Sequence, residues 1–158
     1  MIFKNKIHFW SLALFLGASF LIFGCDKNSP AEPEKMLKIE FTLNFTGPTT
    51  AAGTFTATGA FAETGTAEET FEMVGPQNAP TGVKGEKTLK GKNGNITLSF
   101  DAQLTSQSQT SAVAEGTFTI TGGTGGYASL SGTGKTSVTV DFAAGTLVGS
   151  YEGDVKGY

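Results

Sequence analysis

Apolar and polar residues alternate along most of the chain after residue 36. In the clearest stretch, from Leu37 to Phe45, every second residue is apolar, and Lys, Glu, Thr and Asn lie between them. A period of two is typical of a β-strand with one buried face. No stretch shows comparable helical spacing, so the pattern predicts about eight strands. The other alternating stretches centre on Phe55, Phe71, Leu89, Phe100, Phe118, Val140 and Leu147.

Turn-forming residues separate the alternating stretches. Short strands joined by turns around one core suit a closed barrel, which also removes exposed sheet edges. We therefore predict an all-β domain over residues 36–158, a single antiparallel β-barrel of about eight strands, with a two-sheet β-sandwich as the alternative. The same alternation predicts that Phe100, Phe118 and Phe142 are buried. The turn signals are Gly47-Pro48, Gly75-Pro76, Lys92-Asn93-Gly94, Gly122-Gly123 and Ala143-Ala144-Gly145.

The first residues have the charge and length profile of an export signal. Lys4 and Lys6 precede an apolar run from Phe9 to Gly24 that is shorter than most bilayer spans. The segment Leu21-Ile22-Phe23-Gly24-Cys25 resembles the lipobox of bacterial lipoproteins, in which the Cys receives diacylglycerol before cleavage. We therefore expect a signal peptide over 1–24 and a membrane anchor through a lipid, such as palmitate, on Cys25. The alternative is an uncleaved N-terminal membrane helix.

Residues 25–35 carry the expected acylated Cys and a polar segment with Pro30 and Pro33. Such a composition stays extended and spans roughly 30 Å at ~3.1 Å per residue, so we interpret it as a flexible tether. The expected location is the extracytoplasmic side of the cell envelope. Asp26 directly after the Cys resembles the inner-membrane retention signal of enteric bacteria, and the sequence leaves the choice of inner or outer membrane open.

Charge and composition exclude several functions. All eleven basic residues of the 158-residue chain are Lys, and after removal of 1–24 nine Lys face fourteen Asp and Glu, a net charge of about −5. Without Arg, the usual bidentate group for phosphates and guanine edges is missing, so we expect no nucleic-acid partner. The only His is His8, in the expected signal, and the only Cys is Cys25. Ser-His-Asp triads, Cys-His nucleophiles and ordinary zinc sites are therefore excluded, and we expect no metal or cofactor.

The stretch from Gly116 to Tyr127, GTFTITGGTGGY, is followed by Leu130, Gly132 and Gly134. It resembles bacterial relatives of the allene oxide cyclase and dirigent β-barrels, and the resemblance covers roughly residue 85 to the C-terminus. It implies an eight-stranded antiparallel barrel with a central cavity and adds Tyr127, which ends the glycine-rich turn, as a candidate ligand-binding residue. No catalytic residue is carried across, and the lack of Arg departs from the polar cavity of the dirigent branch.

Two further candidate ligand-binding residues follow from strand alternation. If Phe71 and Met73 point into the barrel, Glu69 shares their side, and Tyr151 shares the side of Leu147 and Val155. A carboxylate and a phenol would then face one cavity and bind a polar head group or move a proton. The alternative is a β-bulge that leaves Glu69 in solvent among other acids, and this second arrangement is the one we expect.

Three functions are compatible with these patterns. The first, which we prefer, is a non-enzymatic barrel that binds a small apolar ligand or a partner at the envelope. The second is a cyclase-like or isomerase-like enzyme of the allene oxide cyclase type, which would use a cavity carboxylate, Tyr and ordered water. The third is a structural or adhesive envelope module with a packed interior. The sequence leaves the ligand and the oligomeric state open.

Overall fold

The computed structural model describes residues 34–158, so the expected signal peptide, Cys25 and most of the expected tether lie outside the described residues. Within the described range, no helix is long and apolar enough to cross a membrane. A three-residue 3-10 helix, Gly125–Tyr127, lies between the sixth and seventh of eight strands. The strands are β1 (Lys35–Gly47), β2 (Thr50–Gly59), β3 (Glu63–Val74), β4 (Gly82–Gly91), β5 (Asn95–Gln107), β6 (Ser111–Gly123), β7 (Ser131–Asp141) and β8 (Thr146–Lys156).

The eight strands form one closed antiparallel barrel. Each strand pairs with the next along the chain, and β8 pairs with β1. The predicted barrel of about eight strands is thus confirmed over the sandwich. The turn predicted at Gly122-Gly123 is wrong, because β6 continues through both glycines and the chain turns only at the 3-10 helix.

Aromatic rings fill the middle of the barrel because glycines face them. In the register, Phe41 lies opposite Gly149 and Phe100 lies opposite Gly85. A Cβ added at Gly149 would be 2.6 Å from Cζ of Phe41, and one added at Gly85 would be 2.8 Å from Cζ of Phe100. Either contact is closer than packed atoms allow, so the missing side chains provide the space that the rings occupy. The abundance of glycine in the strands is therefore partly a packing requirement.

The two ends of the barrel differ, and we call them the sealed end and the open end. The sealed end holds the start of β1, the end of β8, and the β2–β3, β4–β5 and β6–β7 connections. The open end holds the other four connections.

The prediction that Phe100 and Phe118 are buried is confirmed, but the prediction for Phe142 is wrong. β7 ends at Asp141, so Phe142 lies in the turn at the open end with 45% of its surface exposed.

Candidate functional site

A cavity of about 90 Å³ lies inside the barrel at the open end. Its wall is almost entirely apolar, and two of the residues that line it, Met73 and Phe142, are about half exposed. Only Glu69, Thr136 and Tyr151 bring polar side chains to the wall. Apolar residues from seven strands complete it, among them Phe45, Phe71, Val83, Leu104, Ala114, Val138 and Leu147. The cavity is therefore an apolar space with a small polar region.

Glu69 is buried at this cavity, where it pairs with a lysine that sequence reasoning missed. Glu69 on β3 lies directly opposite Lys87 on β4, and the Oε2 to Nζ distance is 2.7 Å. Glu69 is 7% exposed and Lys87 is fully buried. The expected bulge that would leave Glu69 in solvent is wrong, because the register of β3 is regular on both sides of this residue.

The Lys87 ammonium is held by aromatic rings as well as by the carboxylate. Nζ lies 3.0 Å from the centre of the Phe41 ring and 4.8 Å from that of Tyr151, which places it against two π faces. Apart from the ion pair, the buried Nζ has no hydrogen-bonding partner among residues 34–158. Burial lowers the pKa of Lys87 to about 8, although the charge of Glu69 acts in the opposite direction.

Tyr151 lies in the aromatic packing beside the pair. Its ring centre is 5.1 Å from that of Phe41 and 5.0 Å from that of Phe118, the latter in an edge-to-face arrangement. Burial, and secondly the negative charge of Glu69, raise the pKa of Tyr151 well above its ordinary value. The phenol therefore stays protonated at neutral pH. Glu69 and Tyr151 do line one cavity, the arrangement that alternation allowed.

Tyr127, the third candidate, lies at the sealed end and takes part in a different network. Its hydroxyl donates to Oε2 of Glu63 at 3.0 Å. The same carboxylate accepts from the backbone N–H of Thr64 and from both the backbone and side-chain N–H groups of Asn93. These bonds, led by the backbone N–H of Asn93, lower the pKa of Glu63. The structure thus separates Tyr127 from the cavity that holds Glu69 and Tyr151.

The network around Glu63 closes this end of the barrel. Tyr127 is buried, and its ring centre lies 4.8 Å from that of Phe61 in the β2–β3 connection. Burial, together with the hydrogen bond to Glu63, raises the pKa of Tyr127. The backbone of Gly126 also donates to the carbonyl of Asn93, which ties the 3-10 helix to the β4–β5 turn. Tyr127 is therefore placed to hold three connections together.

The open-end cavity offers a limited chemistry. It combines apolar walls with a neutral ion pair and a protonated phenol, which suits binding of an apolar group with a small polar tip. Among the described residues, no group of three or more His, Cys, Asp or Glu is placed to hold a metal. Larger depressions of about 580 and 570 Å³ lie on the outer wall, but they are shallow and lined mainly by Thr, Ser, charged residues and backbone. The enclosed apolar space is therefore the better candidate site.

Comparison of the chain with protein-family models, with curated proteins and with solved structures finds no match. The fold and the site alone define the class, which is a closed, up-and-down antiparallel barrel with one sealed end and one apolar open end.

Proposed function

We propose that this protein is a membrane-anchored envelope lipoprotein whose barrel binds the end of a small apolar ligand, or an apolar group of a partner, without catalysis. One observation carries the binding part of the proposal. The enclosed cavity at the open end is lined almost entirely by apolar side chains, and Met73 and Phe142 are exposed at its opening. Exposed apolar residues around an apolar cavity are typical of a binding site.

The chain enters the barrel at the end opposite to the cavity, which is compatible with an anchored binding protein. β1 begins at Lys35 at the sealed end, and its strand partner β8 ends there too. A lipid on Cys25 would therefore be joined to the barrel on the sealed side. Strands of this length, tilted as barrel strands are, place the open end roughly 30 Å further along the barrel. The cavity therefore lies at the opposite end of the barrel from Lys35, where the strand that follows the expected tether begins.

The size of the cavity limits what enters it. At about 90 Å³ it is smaller than the 300–1,000 Å³ of typical ligand pockets and smaller than an engineered cavity of roughly 150 Å³ that holds benzene. Only a terminal group fits inside, and the remainder of the ligand would lie against Met73 and Phe142. The flexible thioether of Met73 can adapt to such a contact.

A structural envelope module is the second candidate function. The packed aromatic interior around Phe41, Phe118 and Tyr151 favours it, because most of the barrel is filled by side chains. A cyclase-like enzyme has less support. Although Glu69 and Tyr151 line one cavity, Glu69 is held by Lys87, and the space is too small to enclose a fatty-acid-derived substrate.

Two measurements test the two parts of the proposal. Cells that express the chain are labelled with a palmitate analogue, and Cys25→Ser is expected to abolish the label and leave an uncleaved precursor, because the thiol is the acyl acceptor. Unchanged labelling would overturn the proposal of a lipid anchor on Cys25.

The second measurement tests ligand binding. A fluorescent fatty acid is titrated into the purified chain, and we expect saturable binding that Phe142→Ala weakens. An absence of saturable binding would leave the structural module as the better account.

A further inference from the structure

The carboxylate of Glu69 has hydrogen-bonding capacity that the protein itself does not use. Its contact is the ion pair from Oε2 to Nζ of Lys87, and no hydrogen bond from another described residue reaches it. An ionised carboxylate offers about four lone-pair positions. Because Glu69 lines the cavity, a ligand that enters can donate a hydrogen bond to it. The polar region of the cavity therefore selects for a donor on the ligand.

The charge at this position further restricts the ligand. The carboxylate of Glu69 and the ammonium of Lys87 form a neutral pair inside an apolar wall. A carboxylate ligand would bring a second negative charge beside Glu69, and an alkylammonium would compete with Lys87 for the same oxygen atoms. Either would add net charge to a poorly solvated space, which is unfavourable. A neutral hydroxyl adds no charge, donates to Glu69 and can accept from the phenol of Tyr151.

The volume of the cavity determines which part of the ligand enters. At about 90 Å³ the cavity is smaller than the cavity of roughly 150 Å³ that holds benzene, so it takes only a few heavy atoms of a ligand. Building on the proposed function, we infer that the cavity takes the hydroxyl end of a neutral, straight-chain alcohol. The hydroxyl lies beside Glu69, and the alkyl chain passes outward over Met73 and Phe142. The apolar wall excludes polyhydroxylated ends such as sugars and glycerol.

Two isomeric probes test this inference on the protein as it is. 1-Hexanol and methyl pentyl ether contain the same atoms, but only the alcohol has a hydrogen-bond donor. Affinities are measured for both by following methyl NMR signals of Leu147 and Val138 in the full chain. We expect 1-hexanol to bind at least about tenfold more tightly, since hydrogen bonds to charged groups are the stronger ones. Hexanoate and hexylammonium are expected to bind more weakly than the alcohol.

A double variant provides the matched test of the polar pair. Glu69→Leu with Lys87→Met removes both charges and keeps an apolar wall, so the preference for alcohol over ether is expected to disappear while both still bind. The control pair is Glu72→Gln with Lys84→Gln, an ion pair at 3.0 Å between the same two strands on the outer face, and its removal is expected to leave the preference unchanged.

The outcomes separate the inference from the proposed function. Equal affinities of the two isomers in the unaltered chain, or a preference that persists in the double variant, would overturn the alcohol inference and leave apolar binding intact. Failure of both isomers to bind would overturn the proposed function as well. The comparison in the unaltered chain needs no variant, so it stands even if the double variant does not fold.

Discussion

The two ends of the barrel each bury a glutamate, and the two glutamates are satisfied in different ways. At the sealed end, Glu63 accepts hydrogen bonds from Thr64, from two groups of Asn93 and from Tyr127. At the open end, Glu69 has a single partner, the ammonium of Lys87, which is itself fully buried. The first carboxylate joins three connections of the chain, whereas the second can still accept hydrogen bonds at the wall of an apolar cavity.

The comparison distinguishes a structural polar group from a candidate binding group. A network in which every polar group is hydrogen-bonded, such as that of Glu63, stabilises one specific arrangement of the connections that it joins. A buried ion pair, in contrast, is expensive to desolvate, and apolar residues of similar volume often serve stability as well or better. Local departures from the most stable choice are expected at functional sites. The position of the costly pair at an enclosed apolar cavity therefore supports a role in binding.

The largest expected effect comes from breaking the pair at the open end. Glu69→Leu leaves the Lys87 ammonium buried without its carboxylate, which is expected to lower the free energy of unfolding by about 3–5 kcal/mol. The double variant with Lys87→Met is expected to recover most of this loss. Urea unfolding measures both. Glu72→Leu, which removes an exposed ion pair from the same strands, is the control and is expected to cost no more than about 1 kcal/mol. A loss that small for Glu69→Leu would contradict the described burial.

The next effect is a rise in stability with pH. Because burial lowers the pKa of Lys87 from 10.5 to about 8, the unfolded chain binds more protons than the native one between these values. The free energy of unfolding therefore increases with pH in this window, by about 2 kcal/mol between pH 7 and 9.5. Above about pH 10 the raised pKa of Tyr151 opposes this gain, because the unfolded phenol ionises first.

Urea unfolding at several pH values, for the unaltered chain and for the Glu69→Leu, Lys87→Met double variant, measures this dependence. The difference in stability between the two chains is expected to change by about 2 kcal/mol in favour of the unaltered chain as the pH rises from 7 to 9.5. A constant difference would show that Lys87 titrates as an ordinary lysine, and the described environment of its ammonium would be wrong.

A smaller loss is expected at the sealed end. Tyr127→Phe removes the donor to Glu63 and keeps the ring against Phe61, so the free energy of unfolding is expected to fall by about 1–2 kcal/mol. Affinity for probes of the open-end cavity is expected to stay the same, since this residue lies at the opposite end. A selective loss of probe binding would restore Tyr127 as a ligand-binding residue and contradict the division between the two ends.

The smallest effect on stability is expected at the edge of the cavity. Phe142 is 45% exposed in a turn, so Phe142→Ala is expected to change the free energy of unfolding by less than about 0.5 kcal/mol. Binding of an alkyl probe is nevertheless expected to weaken. Val148→Ala, at a similarly exposed apolar position on the outer wall, is the control and is expected to leave binding unchanged. Equal effects of the two substitutions would point to nonspecific binding.

Sequence pattern predicts the fold well because one face of each strand is buried. The alternation in Leu37 to Phe45 falls within β1, and the alternation around Val140 lies in β7. The pattern fails at a strand end, where Phe142 keeps the apolar period but lies in a turn. It also fails at Gly122-Gly123, since glycine is compatible with a turn and also with the end of a strand.

The candidate site is only partly predictable from the sequence. Alternation allows Tyr151 and Glu69 on the inner face, but the acidic residues around Glu69 favour a β-bulge that leaves it in solvent. Lys87 carried a usable signal, because it lies two positions before Leu89 and therefore on the same face. What the sequence lacks is the register between β3 and β4, which places the two opposite charges together. Without knowledge of that pairing, a buried lysine is not expected, because lysine is almost never fully buried unless it is paired.

Binding of xenon, followed by methyl NMR of the full chain, tests the central claim most directly. Xenon is apolar and enters empty apolar cavities, so it probes the space without a hydrogen bond. The account predicts saturable shifts at Met73 and Leu147, which line the open-end cavity, and no comparable shift at Leu130 and Val155 near the sealed end. An absence of saturable shifts at the open end, or shifts of equal size at both ends, would contradict it.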